Sequence, residues 1–97
     1  IMYRSESVTS NLLIEVDSLS NRIENIKQSY SNTTHQGLRV RLFYENKSIF
    51  HRLNEIYSIA QFLKNRTIEK ISFTSLLLEK SKRIIAQTKI EKNLFFL

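Results

Sequence analysis

Residues 12–30 read LLIEVDSLSNRIENIKQSY. In this stretch Leu12, Val16, Leu19, Ile23, Ile26 and Tyr30 recur at intervals of 4-3-4-3-4, the a/d seam of a heptad held for nearly three repeats. Glu15, Asp17, Ser18, Ser20, Arg22, Glu24, Asn25 and Lys27 fill the positions between, so the opposite face is polar. The spacing predicts a one-sided amphipathic helix over residues 8–30. Residues 1–7 lack the periodicity and are expected to fray.

Outward from this helix the chain carries almost no punctuation. It has one glycine, no proline and no cysteine in 97 residues. Sheet folds need many turns with positive or fixed φ, so the fold class is all-α. Ser31-Asn32-Thr33-Thr34-His35-Gln36-Gly37 is the one polar, turn-forming stretch and holds the only glycine. Thr33 or Thr34 is expected to cap the next helix, a hydroxyl accepting one of its orphan N–H groups. Gly37 alternatively falls in that helix's first turn.

A second helix is expected over 35–64. Leu38, Leu42, Ile49, Leu53, Ile56, Ala60 and Leu63 continue the seam, with Asn46 at the one polar seam position. A buried amide there would set register or oligomeric state; the alternative is that Asn46 faces solvent. Phe43, Phe50 and Tyr57 repeat every seven residues beside the seam, so this helix should touch two neighbours. Lys64-Asn65-Arg66-Thr67 then interrupts the apolar pattern, with Thr67 reading as the cap of a third helix over 68–92; the alternative, with no glycine or proline to enforce a turn, is that the second helix runs straight into the third. The third helix shows three apolar stripes rather than one: Ile71, Leu78 and Ile85; Phe73, Leu77 and Ile84; and an arc of Leu76, Ala86, Ile90 and Leu94.

Helices of this length run roughly 35 to 40 Å at 1.5 Å per residue, and short links make neighbours antiparallel. The expected architecture is one domain spanning 1–97, three long antiparallel helices in an elongated bundle or a helical hairpin plus a third helix. The third helix has more apolar surface than one copy should leave exposed, which predicts a homodimer. Tyr44, Phe62, Leu76, Leu78, Ile85, Ile90, Phe95 and Phe96 are the candidate self-association or partner-binding residues. An amphipathic helix of another protein is a further candidate partner.

Composition excludes much chemistry. Without cysteine there are no disulfides and no thiolate metal sites or nucleophiles. One glycine is too few for a phosphate-cradling loop, a dinucleotide fingerprint or a nucleophile elbow. The two histidines, His35 and His51, share no metal-ligand spacing and read as solvated surface residues. The acids lie at exposed positions, with Glu45 as the one candidate exception. The reading is a non-catalytic interaction or assembly module: no enzyme, no cofactor, no metal and no membrane span. The absence of cysteine and of a leader pattern fits a cytoplasmic location.

The alternative function comes from charge. The formal net charge is +6, divided as −1 over residues 1–37, +4 over 38–67 and +3 over 68–97. A basic surface can meet nucleic acid through several phosphate contacts at once. Arg39, Arg41, Lys64, Arg66, Lys80, Lys82 and Arg83 are the residues that would make them. Their angular positions are scattered, and a lysine- and asparagine-rich composition inflates charge by itself. Nucleic-acid binding is therefore the second choice.

Overall fold

Nothing in the first 32 residues interrupts a helix, and none is interrupted. The computed structural model describes residues 2–66 and 72–95, with side chains described over 8–65 and 74–88. Its helices are α1 (Met2–Asn32), α2 (Gln36–Arg66) and α3 (Ser72–Phe95). α1 thus begins well before the periodic stretch. Residues 2–7 were expected to fray, but they carry no breaker, and extending an existing helix adds one hydrogen bond per residue fixed. α3 runs to Phe95, beyond the end that the pattern indicates, and the start expected for it at residue 68 lies outside the described residues. The capping role read for Thr67 lies outside the described residues.

Every pair of helices is in contact, so the molecule is a closed three-helix bundle rather than an open hairpin with an appendage. The polar contacts fix the direction of each helix. Glu15 meets Arg52 and Arg22 meets Glu45: numbers rise in α1 as they fall in α2, so these two are antiparallel. Asp17 meets Lys80 and Glu24 meets Gln87, rising together, so α1 and α3 are parallel. The topology is up-down-up. The bundle measures 51 × 18 × 15 Å with a radius of gyration of 15.5 Å, against about 12–13 Å for a compact domain of this length.

The core is built from one seam per helix. α1 buries Thr9, Leu12, Val16, Leu19, Ile23 and Ile26; α2 buries Leu42, Asn46, Ile49, Leu53, Ile56 and Ala60. Both follow 3-4 spacing, which keeps a seam turned toward its neighbours. α3 resolves its competing stripes in favour of Leu77 and Ile84, accompanied by Thr74, Ser81 and Thr88, all buried. Two of those hydroxyls, on Ser81 and Thr88, find partners inside their own helix. Ser81 Oγ donates to the carbonyls of Leu77 (2.8 Å) and Leu78 (3.1 Å), and Thr88 Oγ1 to that of Ile85 (2.6 Å). Each satisfied hydroxyl can then sit in a core without an unmade bond. Leu78 and Ile85 pack against the core as half-buried neighbours, and Phe43, Phe50 and Tyr57 are half-buried on α2.

The α1–α2 corner differs from its sequence reading. His35 is the cap, not Thr33 or Thr34. Its Nδ1 accepts the backbone N–H of Leu38 at 3.1 Å, and its carbonyl accepts the first helical bond, from Arg39, at 3.0 Å. Thr33 serves the cap residue instead, Oγ1 accepting the His35 N–H at 3.2 Å. His35 is exposed but bonded, rather than a merely solvated histidine. Gly37 sits in the first turn of α2 without a positive φ. What it supplies is room, since a Cβ there would lie 3.1 Å from Cε1 of the His35 ring.

Candidate interaction surface

α2 is the helix whose exposed side carries the most apolar material. Opposite its buried seam lie Val40, Tyr44, Lys47, His51, Glu55, Ser58 and Phe62, all exposed. At 100° per residue they follow one line along the helix. Tyr44 is 62% exposed and Phe62 is 56% exposed, unusual for rings that gain so much from burial. Val40 adjoins Tyr44 on this line, and Ile59, also exposed, flanks Phe62. Two rings of the line are held by half-buried neighbours. Tyr44 meets Phe43 edge-on at 5.5 Å, and His51 meets Phe50 at 5.8 Å.

The charged rims between helices are committed to the fold. Arg52 donates to both oxygens of Glu15, through Nε at 2.5 Å and a terminal nitrogen at 2.8 Å. This fork-on-fork geometry is the strong form of the ion pair. The bond from Arg52 holds the Glu15 carboxyl below its ordinary value. Partial burial opposes that shift, and the Arg52 charge reinforces it. Arg52 is pushed further up by the same contact. Lys80 reaches Asp17 at 3.1 Å, Gln87 donates to Glu24 at 2.8 Å, and Arg22 lies 3.6 Å from Glu45. Glu45 is exposed, so the one acid expected to be an exception is not one.

The candidate basic residues are dispersed. Arg39 stacks over the Tyr30 ring, 4.2 Å from its centroid, with its Nε buried and without a hydrogen-bond partner among the described residues. Arg41 borders a shallow recess with His35, Gly37 and Leu38. Lys64 and Lys82 line an open groove between α2 and α3 with Tyr57, Gln61, Leu78 and Glu79. Lys80 is tied to Asp17, and Arg83 is exposed. The Arg66 side chain lies outside the described ones. These positions fall at the corner, in the groove and on the α1–α3 rim, so no single phosphate-tracking stripe joins them.

No protein-family model, curated protein or solved structure matches the chain. The site must therefore be judged from its own geometry. Of the candidate docking residues, Tyr44 and Phe62 share the outer side of α2, while Leu76 is exposed on α3. Leu78 and Ile85 face the chain's own core. Ile90, Phe95 and Phe96 lie outside the described side chains. Asn46 is 4% exposed and its Oδ1 has no hydrogen-bond partner among the described residues, so the solvent-facing alternative for it is overturned. Val40, Lys47, Glu55 and Ser58 were not singled out from sequence, and His51 was read only as a solvated surface residue. Their common signal, a position half a turn from the seam, becomes informative once that side is seen to be uncovered.

Among the described residues no three His, Asp or Glu side chains converge on a point. No described helix is long and apolar enough to cross a membrane.

Proposed function

We propose that this chain is a non-catalytic helical interaction module that works by self-association, with the outer side of α2 as its docking surface. One observation carries the reading. Among the described residues, four of the eight large hydrophobics left exposed are on α2 away from its seam: Val40, Tyr44, Ile59 and Phe62. The seams of all three helices are meanwhile covered by one another, so these side chains are not remnants of an unfinished core. Exposed apolar side chains gathered on one element mark a surface that a partner covers.

The commitments of the acids support the non-catalytic part. General acid–base work calls for a titratable group in a pocket that a substrate can reach. Glu15, Asp17, Glu24 and Glu45 instead join helix to helix. Sedimentation equilibrium of the intact chain from micromolar to high-micromolar concentration tests the proposal. A mass that climbs from one copy toward two supports it, and a monomer throughout overturns it.

A further inference from the structure

The outer line of α2 is symmetric in position about its centre and complementary in chemistry. His51 is its centre. Lys47 and Glu55 lie four residues to either side, Tyr44 and Ser58 seven, and Val40 and Phe62 eleven. His51 is also the midpoint of the helix, which runs Gln36–Arg66. The spacing, 4-3-4 on each side, is eleven residues in three turns, close enough to 3.6 per turn that the line stays on one side of the helix. It covers roughly 33 Å at 1.5 Å per residue.

We propose that a second copy of the chain docks on this line antiparallel, with the two-fold axis at His51. Such an axis brings each residue opposite its mirror position about the centre. Val40 then meets Phe62, apolar on apolar, at both ends of the interface. Tyr44 meets Ser58, a ring over a small side chain, with Ile59 alongside. Lys47 meets Glu55, opposite charges, twice. The only like-with-like contact is His51 on His51. A parallel pairing would set Lys47 on Lys47, Glu55 on Glu55 and ring on ring, with small on small. The charge pattern selects the antiparallel arrangement and selects a copy of this same helix as the occupant, since both halves of every complementary pair are already present. The existing contact of Glu55 is a long one, 3.7 Å to Arg52 on its own helix, and leaves its side chain 66% exposed. One helix side falls at the small end of stable interfaces, so the dimer should form in the micromolar range.

This inference rests on the self-association proposed above, and the test separates the two. Sedimentation equilibrium is run on the intact wild-type chain, Glu55→Lys, Lys47→Glu and the double exchange, with circular dichroism to confirm that each keeps its helices. Either single reversal turns two opposite-charge contacts into two repulsive ones and should weaken the dimer roughly tenfold or more. The double exchange should bring it back to near the wild-type value. A dimer indifferent to the single reversals, or one that the double exchange fails to rescue, overturns the α2 geometry and leaves self-association standing. A wild-type chain that stays monomeric overturns both.

Discussion

Replacing Asn46 by leucine should make the protein more stable, and the size of the gain can be worked from its surroundings. Asn46 is 4% exposed, and its Oδ1 accepts no bond from any described residue. A buried acceptor left unmade costs about 1–3 kcal/mol, a penalty that an apolar side chain does not carry. Leucine also contributes apolar burial of about 1.5–3 kcal/mol. Against this stands the misfit of a differently branched side chain in a packed seam, about 1–3 kcal/mol. The net expectation for Asn46→Leu is a stabilisation of about 1–2 kcal/mol. For a chain of this size that raises the melting midpoint by roughly 4–16 °C. Urea unfolding followed by circular dichroism gives the comparison, with the slope required to stay unchanged so that the midpoint reports stability. A midpoint that falls would show instead that the amide makes bonds worth more than the apolar gain. Asn46→Asp, which puts a charge in the same place, should lower the midpoint under the same conditions.

Two further predictions concern the rims and the corner. The Glu15 carboxyl is held below its ordinary value of 4.5 in the folded state. The contribution of its pair with Arg52 is therefore complete above the unfolded value and lost as pH falls through the folded one. Both partners are about a third exposed, which limits the effect to about 0.5–1 kcal/mol. Glu15→Gln should thus unfold earlier than wild type at neutral pH and converge with it in acid well below 4.5; a gap that ignores pH would count against this. At the corner, His35→Ala should cost about 1 kcal/mol and His35→Asn much less, because asparagine is itself a good cap. Gly37→Ala would ordinarily favour a helix by about 1 kcal/mol, but its methyl would crowd the His35 ring at 3.1 Å. The gain should therefore appear in full only beside His35→Asn, and strict additivity in that double-mutant cycle would show that the crowding is absent.

α1 was legible because its seam and its polar face do not mix: the six apolar positions named from sequence are the ones turned toward the bundle. α2 was nearly as plain, and its flanking Phe43, Phe50 and Tyr57 are half-buried, as befits a helix touching two neighbours. α3 was not legible. Its winning face includes Thr74, Ser81 and Thr88, and a polar–apolar pattern counts these against burial. What admits two of them is the bond from each hydroxyl to a carbonyl one turn back, which only coordinates reveal. The cap was missed for a related reason. Threonine has the stronger prior, while an imidazole nitrogen accepts the same N–H when the chain after it leaves room. Pairings such as Glu15 with Arg52 join residues 37 apart, a distance that local periodicity does not address. Tyr44 and Phe62 stood out in the sequence as single large side chains. The line joining them did not, since its other members are mostly polar and gain meaning from their symmetry about His51.

The proportions of the bundle bear on how its mass is measured. A rod 51 Å long and 18 by 15 Å across experiences more friction than a sphere of equal mass, so one copy will elute from a sizing column ahead of its true weight and can pass for two. Equilibrium sedimentation is free of that bias because it does not depend on drag. Shape also offers an independent signature. Two rods laid side by side about the middle of α2 double in mass while their greatest dimension stays near 51 Å, so the particle becomes rounder as it assembles. Small-angle scattering would then show the forward intensity per unit concentration rising with concentration over an almost constant maximum distance, whereas end-to-end assembly would lengthen the rod.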